Sequence, residues 1–586
     1  MASTSKNSVC IGDQNFESVM TQWLHDVEDI EDSDAEAGNV SDPGYNSEHD
    51  TESELDISSE ESDQSVSNER NQKALYGRNR YTWSAEEPKR NVRTLAHNII
   101  VHLPGLKGKA LRIGHSCTPL QIWECIFSED MLVEVVTHTN EKIKEYRSRY
   151  ADETRTELRD VSLSEMRAFI GLLYYTAIFK SNKENLESLF ATDGTGRDIF
   201  RCTLSLKRIL VLLICLRFDD SSTRNERLET DPAAAISNIF NCMIRNSQDC
   251  YCIGETACID EMLLGFHGRC RFRMYMASKP EKYGLKIMIL CDAKTHYLLN
   301  AYIYTGKGSD GVGLSSEEKK LLIPSQSVIR LARPIESSCR NITADNYFSS
   351  IEVVNELKER KLTYVGTLKK NKREIPLEFL PQKNRREGSS EYGFTKDMTL
   401  VSYVPKKNKA VVLISSMHHC KSTDSETGKP EIISFYNQTK GGVDGLDKKC
   451  MTFSTSRRTC RWPMAIFFGI LNIAGVNSHV LYSAFRDNSS ISRFDFLKGL
   501  SRQLCEMYLN ERLLNTRLPR ELRGSIGRIL NKPLPSPVHE VGPTKRKRCS
   551  LCPRSSDKKT DVICVNCNRH ICVTCRRSIC LECVDE

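Results

Sequence analysis

The spacing of apolar residues divides this chain into stretches of different texture. From Pro119 onward apolar residues recur at three-to-four intervals. Ser164 to Lys180 (SEMRAFIGLLYYTAIFK) joins such a stripe to a Ser cap and an early Glu, and Ser205 to Phe218 does the same, so residues 120–250 are predicted to be largely helical. Near Ala257 the texture changes to short apolar runs separated by turns: ACIDEMLLGF, YGLKIMILCDAKTHYLLNAYIYTG, SCRNITADNYFSS and KLTYVGTLKKN. These predict three β-rich runs, a fourth strand ending at Asp345, a helix over Ser349 to Glu359 and a fifth strand, which together make a mixed α/β sheet. Residues 371–430 are irregular and β-rich, and TLVSYVPKKNKAVVLISS turns at Lys406 to Lys409, predicting an inserted, hairpin-bearing subdomain. Helix returns near Asp444. Pro463 to Phe485 (PMAIFFGILNIAGVNSHVLYSAF) predicts a buried helix begun by Pro in its first turn.

The ends of the chain differ from this body. His25 to Asp63 holds 16 acidic residues and no Lys or Arg, with no apolar face to bury, so it is expected to be disordered. That disorder is expected to continue through the basic stretch Arg78 to Arg93. SSEESD and SDAEAG are acidic serine contexts that a kinase could modify, although a solubilising tail is the plainer reading. Residues 1–63 carry 18 Asp or Glu against one Lys, so the net charge of +7 hides a head of −17 and a body of +24. A basic body of that size points to a polyanion such as nucleic acid, with solvated Lys and Arg faces as the ordinary alternative. A chain of 586 residues exceeds what one core usually supports, which predicts two to four domains. The apolar runs Leu210 to Leu216 and Met464 to Val476 are too short or too polar to span a bilayer, and MASTSKNSVCIGDQ lacks the pattern of a signal peptide. The 24 cysteines are therefore expected in a reducing compartment.

Eight of those cysteines form four CxxC pairs at the end of the chain: Cys549/Cys552, Cys564/Cys567, Cys572/Cys575 and Cys580/Cys583. Each pair sets two thiolates on one knuckle at the spacing tetrahedral Zn²⁺ needs, so four pairs predict two structural Cys₄ zinc sites. Interleaved pairing would give the first and third pairs one ion and the second and fourth the other. A disulfide framework is the competing use of such cysteines, and nothing else in the sequence suggests secretion. His570 is then a spare ligand or a surface residue.

Three acidic positions stand out by context. Asp260 lies on or at the end of the core strand ACID, and Asp345 ends NITAD; a charge in either place is costly unless ligated or paired. Asp444 and Asp447, three apart in TKGGVDGLDKKC, project from one face if that segment is helical. Strand-end carboxylates with a helical one suit two Mg²⁺ ions about 3.5–4 Å apart, the arrangement for in-line phosphoryl transfer. Turn or cap residues are the alternative for each Asp taken singly.

The sequence around these positions closely resembles the piggyBac transposase family. The matching stretches are IDEMLLGFHGRCRFRMYMASKPEKYGLKIMILCD (259–292), RNITADNYFSS (340–350), VGTLKKNKREIP (365–376), YNQTKGGVDGLDKKC (436–450) and RWPMAIFFGILNIAGVNS (461–478). The resemblance implies an RNase H-like α/β catalytic fold with a β-rich insertion, flanked by a split helical DNA-binding domain. By that likeness residues 1–117 would be a disordered N-terminal region, 118–254 and 456–530 the two helical parts, and 255–370 and 431–455 the two catalytic parts. Residues 371–430 would be the insertion, 531–548 a linker and 549–586 the zinc domain. Carried over by motif, the catalytic residues and Mg²⁺ ligands would be Asp260, Asp345 and Asp444, with Asp447 the further family Asp; two Mg²⁺ are implied, Mn²⁺ substituting. The implied reaction is cut-and-paste DNA transposition by a homodimer that binds terminal inverted repeats and inserts at TTAA.

Basic residues add candidate DNA contacts. TLKKNKR places Lys369, Lys372 and Arg373 just after a predicted strand, where they could clamp phosphates without reading sequence, or form a solvated turn. Lys440 precedes GGVD. Arg457, Arg458 and Arg461 precede Trp462, which could stack on an unpaired base, though a Trp beginning a buried helix is more often core. TKRKR, with Lys545, Arg546, Lys547 and Arg548, reads as a nuclear-localisation run for importins, or as a basic linker. The tail departs from the insect prototype in having Cys575 where a His ligand is expected, a swap zinc tolerates. Two other functions compete: a non-cutting, domesticated DNA-binding protein, and a RING-like ubiquitin ligase. Ligase activity is disfavoured because four residues separate Cys567 from Cys572, and domestication would be marked by loss of catalytic carboxylates, all of which are present.

Overall fold

The computed structural model describes residues 74–89, 96–149, 155–485, 491–534, 546–564 and 569–576. They form two compact units that divide between Tyr508 and Leu509. The acidic arm, Lys545, Cys567, Cys580 and Cys583 lie outside the described residues.

The first unit is organised by one sheet. In chain order its strands are β1 Ala74–Tyr76 and β2 Thr82–Ser84; a separate short ladder pairs β3 Gly105–Leu106 with β4 Tyr251–Cys252. The sheet then takes in β5 Thr256–Gly265, β6 Arg273–Tyr275, β7 Tyr283–Asp292, β8 Leu298–Ile303, β9 Asn341–Ala344, β10 Thr363–Thr367, β11 Ser390–Phe394, β12 Thr399–Lys406 and β13 Lys409–Ser415. The order across it is β1-β2-β11-β12-β13-β10-β9-β5-β7-β6, with β8 also on β7. At its centre β8, β7 and β5 pair antiparallel while β5, β9 and β10 pair parallel, which is the RNase H-like arrangement. β9 and β10 are joined by the helix Ile351–Glu359, which Ser350 caps by accepting from the Val353 amide at 3.1 Å. β7 is buried along nearly its whole length, as expected of a strand covered on both faces, and so reads as a continuous apolar run.

Helices precede and follow the sheet in sequence. Leu163–Ile178 and Leu206–Cys215 begin at Ser162 and Ser205, whose hydroxyls accept from the Glu165 and Arg208 amides. The helix Trp462–Ala484 is long and apolar enough to cross a membrane, but 83% of its most apolar window is buried within the protein. Its polar interruptions have partners. Asn477 exchanges two 2.9 Å hydrogen bonds with the backbone of Leu298, and Asn472 accepts from the Thr455 amide at 2.9 Å. Tyr174 donates to the Leu471 carbonyl at 2.6 Å and accepts from the Trp123 indole at 2.9 Å, tying the N-terminal helices to this core helix.

The hairpin expected in the insertion is present and continues the central sheet, since β13 pairs antiparallel with β10 (Gly366 opposite Ile414). One expectation changes. Disorder does not run to residue 117, because β1 and β2 form a hairpin that joins β11 through Ser84 opposite Phe394. Trp83 anchors it, with its side chain fully buried and its indole donating to the Glu374 carbonyl at 2.9 Å. A single large apolar side chain seated in this way offsets the entropy of ordering a short hairpin. Of the two places left open for Asp260, it sits on the strand, midway along β5, while Asp345 directly follows β9.

The helix Gly442–Thr452 lies directly on the sheet. A Cβ at Gly442 would stand 2.6 Å from the Cys258 Cβ and 3.2 Å from the Cys291 sulfur. Gly442→Ala is therefore expected to lower stability by about 1–3 kcal/mol. Urea denaturation measures this, and an unchanged midpoint would refute the close packing.

Candidate active site

Backbone register places the first two aspartates. Ile259 of β5 is the parallel partner of Ala344 of β9, so Asp260 and Asp345 are the next residues on neighbouring strands. Asp345 is held where β9 turns away: its carboxylate accepts from the Tyr347 amide at 2.9 Å, and its carbonyl accepts from the Ser349 hydroxyl at 2.8 Å. The Asp260 carboxylate accepts from the Glu261 amide at 2.8 Å.

The other two come from the helix that begins at Gly442. The Cys258 thiol donates to the Lys440 carbonyl at 3.0 Å, fixing the helix start two residues from Asp260 on the same strand face. Burial pushes the Cys258 thiol up to about 12, helped by the charges of Asp260 and Asp444, so both aspartates lie within electrostatic reach of that sulfur. Asp447 follows one turn later, half-buried, with burial and then Asp444 raising its pKa against the pull of Lys279.

Lys279, in the connection between β6 and β7, is the cation these acids share. Its ammonium donates to the Glu261 carbonyl at 3.1 Å and lies 3.8 Å from the Glu261 carboxylate. Burial works against its charge, but Glu261, Asp260, Asp444 and Asp447 outweigh burial and raise its pKa. Sequence reasoning missed this lysine and Glu261. The signal available was a second acid inside the core strand IDEM and the cations of SKPEKYGLK. Lys286, also missed, is almost fully buried on β7, where burial lowers its pKa despite Glu261 nearby.

Electrostatics favour a divalent cation here. Burial and then Glu261 hold Asp260 well above the usual carboxylate range; burial and then Asp260 push Asp345 up to about 6. Lys279 and Lys369 only partly balance these half-buried neighbouring carboxylates, and a hard divalent ion with oxygen ligands would supply the remaining positive charge. The aspartates are not drawn tightly together. Among the described residues, only a cysteine cluster in the second unit brings three or more ligand atoms within 4.8 Å of one another.

A family of transposases, described as Transposase IS4, matches residues 118–479, well over half of the chain. A cryo-EM structure of a piggyBac transposase synaptic complex with hairpin DNA matches with TM-score 0.70 and 36% identity, over 82% of this chain and 100% of the other. The chain belongs to the piggyBac transposase family. Human piggyBac transposable element-derived protein 3 is 20% identical over 419 residues, 66% of this chain and 64% of its own length. Human piggyBac transposable element-derived protein 2 is 20% identical over 504 residues, 80% of this chain and 75% of its length. The chain spans only 36% of the human chimeric ERCC6-PGBD3 protein, over the same share of itself as for protein 3.

Within this piggyBac-type fold the expected basic contacts divide into two groups. Lys369 lies near Asp345, where its charge counters the rise of that carboxyl, and its ammonium is 5.9 Å from the Tyr347 ring centroid. Lys372 is half-buried in the same loop, Arg373 is exposed, and the Lys440 ammonium stands 5.5 Å from the Tyr436 ring centroid. Arg458 is exposed. Arg457 and Arg461, by contrast, turn into the protein, against the expectation that they meet DNA. Arg457 donates to the Glu184 carbonyl at 2.6 Å, and burial lowers it to about 10. Arg461 donates to the Leu213, Ile214 and Leu216 carbonyls, closing the end of the helix Leu206–Cys215. Trp462 packs edge-on to Phe272, with centroids 5.1 Å apart, which is its core alternative.

In the second unit Cys549, Cys552, Cys572 and Cys575 gather, which are the first and third CxxC pairs. The Cys552 sulfur is 3.6 Å from that of Cys572 and 3.5 Å from that of Cys575. Tetrahedral zinc with Zn–S of about 2.3 Å sets sulfurs about 3.8 Å apart, so the cluster fits a zinc site. Cys564 and His570 are described and stand outside the cluster. The expected localisation run is not wholly linker: Lys547–Arg548 form β14, paired with β15 Lys559–Thr560, with both basic residues exposed.

Two outcomes follow from these clusters. Millimolar Mn²⁺ should raise the melting temperature of the protein by several degrees and leave Asp260→Asn/Asp345→Asn unmoved, since an ion that binds only the folded state stabilises it; an equal shift in both proteins would place the ion elsewhere. Cys572→Ser should lower the zinc content measured by mass spectrometry by one ion per chain, and an unchanged content would exclude this cluster as a zinc site.

Proposed function

We propose that this chain is an active cut-and-paste DNA transposase whose catalytic carboxylates are Asp260, Asp345, Asp444 and Asp447. The observation that carries this is the convergence of Asp260, Asp444 and Asp447 on the shared cation Lys279, with Asp345 set beside Asp260 by the strand register. Divalent ions bound there would activate the attacking oxygen and neutralise charge on the leaving oxygen. Asp260 and Asp345 are fixed by the sheet and would hold the ions from one side, Asp444 and Asp447 from the helix side. Lys369 and Lys372 would neutralise backbone phosphates beside them.

Water attacks one strand at the transposon end and frees a 3′-hydroxyl. That hydroxyl attacks the opposite strand, closing a hairpin on the transposon end and releasing the flanking DNA. Water opens the hairpin and regenerates the 3′-hydroxyl, which then attacks a phosphodiester of a TTAA target, joining to it and releasing a target 3′-hydroxyl. The matching piggyBac transposase is held in a synaptic complex with hairpin DNA, which supports a hairpin intermediate and synapsis of ends; a homodimer on terminal inverted repeats completes this reading. Nuclear location, with importins engaging Lys545 to Arg548 and a kinase acting on the acidic arm, completes the proposal.

Plasmid excision in cells, with a donor flanked by the element's own ends, tests it. Sealed donor sites bearing TTAA should appear with the wild-type chain and fall at least about 1,000-fold with Asp345→Ala, since loss of a metal-holding carboxylate removes transition-state stabilisation. Absence of excision by the wild type, with DNA binding intact, would favour a non-cutting DNA-binding protein.

A further inference from the structure

Besides its edge with β11, the hairpin formed by β1 and β2 meets the loop after β10 that carries Lys369, Lys370, Lys372 and Arg373. Four hydrogen bonds run from residues 78–83 to that loop's carbonyls. Arg78 donates through one guanidinium nitrogen to the carbonyls of Lys370 at 3.2 Å and Lys372 at 2.9 Å. The Asn79 amide donates to the Arg373 carbonyl at 3.2 Å, and the Trp83 indole to the Glu374 carbonyl at 2.9 Å. Gly77 forms a bridge with Pro376 and approaches so closely that a Cβ there would stand 2.6 Å from the Glu374 oxygen and 2.8 Å from the Arg373 oxygen.

The consequence is a directed loop. Carbonyls at 370, 372, 373 and 374 are all occupied from the hairpin side, while the side chains of Lys370 and Arg373 are exposed. Within the loop itself, the Lys372 amide donates to the Lys369 carbonyl at 3.1 Å and the Ile375 amide to the Lys372 carbonyl at 3.4 Å. Clustered cations repel one another, and two turn bonds are a weak hold on such a segment. The hairpin supplies the rest, and its own seat is independent of the loop's charges because Trp83 is fully buried and Ser84 pairs with Phe394.

We propose that the N-terminal hairpin is a positioning device for the cationic loop, with Gly77 and Arg78 as positioning residues that fix Lys369 and Lys372 where they meet DNA phosphates. This rests on the reading of those lysines as phosphate contacts. Phosphate contacts carry no sequence information, so a non-specific duplex reports on them.

The test uses the full chain and a 30-base-pair duplex of arbitrary sequence, with affinity measured from about 50 to 200 mM salt. Each lost phosphate contact makes the slope of log affinity against log salt shallower by about one. Gly77→Ala, which changes no charge, should flatten the slope by about one to two and speed tryptic cleavage at residues 369–373 about tenfold, because the loop opens locally. Arg78→Ala should do the same. A variant that merely lowered stability would reduce the active fraction and leave the slope unchanged. Lys369→Ala/Lys372→Ala is the control for the underlying reading. If that double variant leaves the slope unchanged, the loop does not meet phosphates and the reading fails. Should it flatten the slope while Gly77→Ala does not, the reading stands and the positioning role is overturned. Flattening by Arg78→Ala alone would make Arg78 a direct phosphate contact and also overturn it.

Discussion

Backbone pairing between β5 and β9 is the constraint on which this molecule depends. Four carboxylates of like charge repel at short range, and the repulsion grows as water is excluded. They are held within reach because the forces that place them do not involve them. Ile259 faces Ala344 through the ladder, and strand pairing carries Asp260 and Asp345 to the same level whatever their charge state. Burial first, and then that imposed closeness to Asp260, raise the pKa of Asp345. Stability built by the sheet is thereby stored as electrostatic tension at its centre, a common relation between scaffold and site.

The helix Gly442–Thr452 meets the same constraint differently. It has no ladder to fix it, so its position comes from absence of bulk: Gly442 rests on Cys258, and the Cys258 thiol bonds to Lys440. A glycine at that contact lets the first helical turn descend until Asp444 and Asp447 reach the field of Lys279. Lys279 in turn answers to Glu261 as well as to the aspartates, which makes the centre a network of acids around one ammonium.

Much of this was legible in the sequence, for identifiable reasons. β9, the helix Ile351–Glu359 and β10 fall where the alternation of apolar runs and a capped helix put them, because each is short and bounded by clear turn chemistry. The motif residues of the site could be read because long, specific stretches surround them. What could not be read was anything decided by contact between distant segments. The hairpin around Trp83 sits in a polar, basic stretch whose local composition argues for disorder, and distant partners, β11 and the loop after β10, make it ordered. Arg457 and Arg461 look like DNA contacts by charge alone; their carbonyl partners lie more than 240 residues earlier in the chain. Lys279 was overlooked because its local sequence resembles that of an ordinary surface lysine, and the second acid of IDEM, Glu261, gained meaning only once the fold set Lys279 beside it.

The hairpin's partners also set an order of events during synthesis. Arg78 bonds to carbonyls 292 and 294 residues further along the chain, and Trp83 to one 291 residues away. Contacts of such sequence separation form late and slowly. The N-terminal segment therefore leaves the ribosome long before the edge it completes exists, and it waits unpaired, with a large indole exposed, until β11 to β13 have been made. Synthesis runs at about 5–20 residues per second, so that wait lasts on the order of 15 s or more. The first part of the sheet to be translated is among the last to be built.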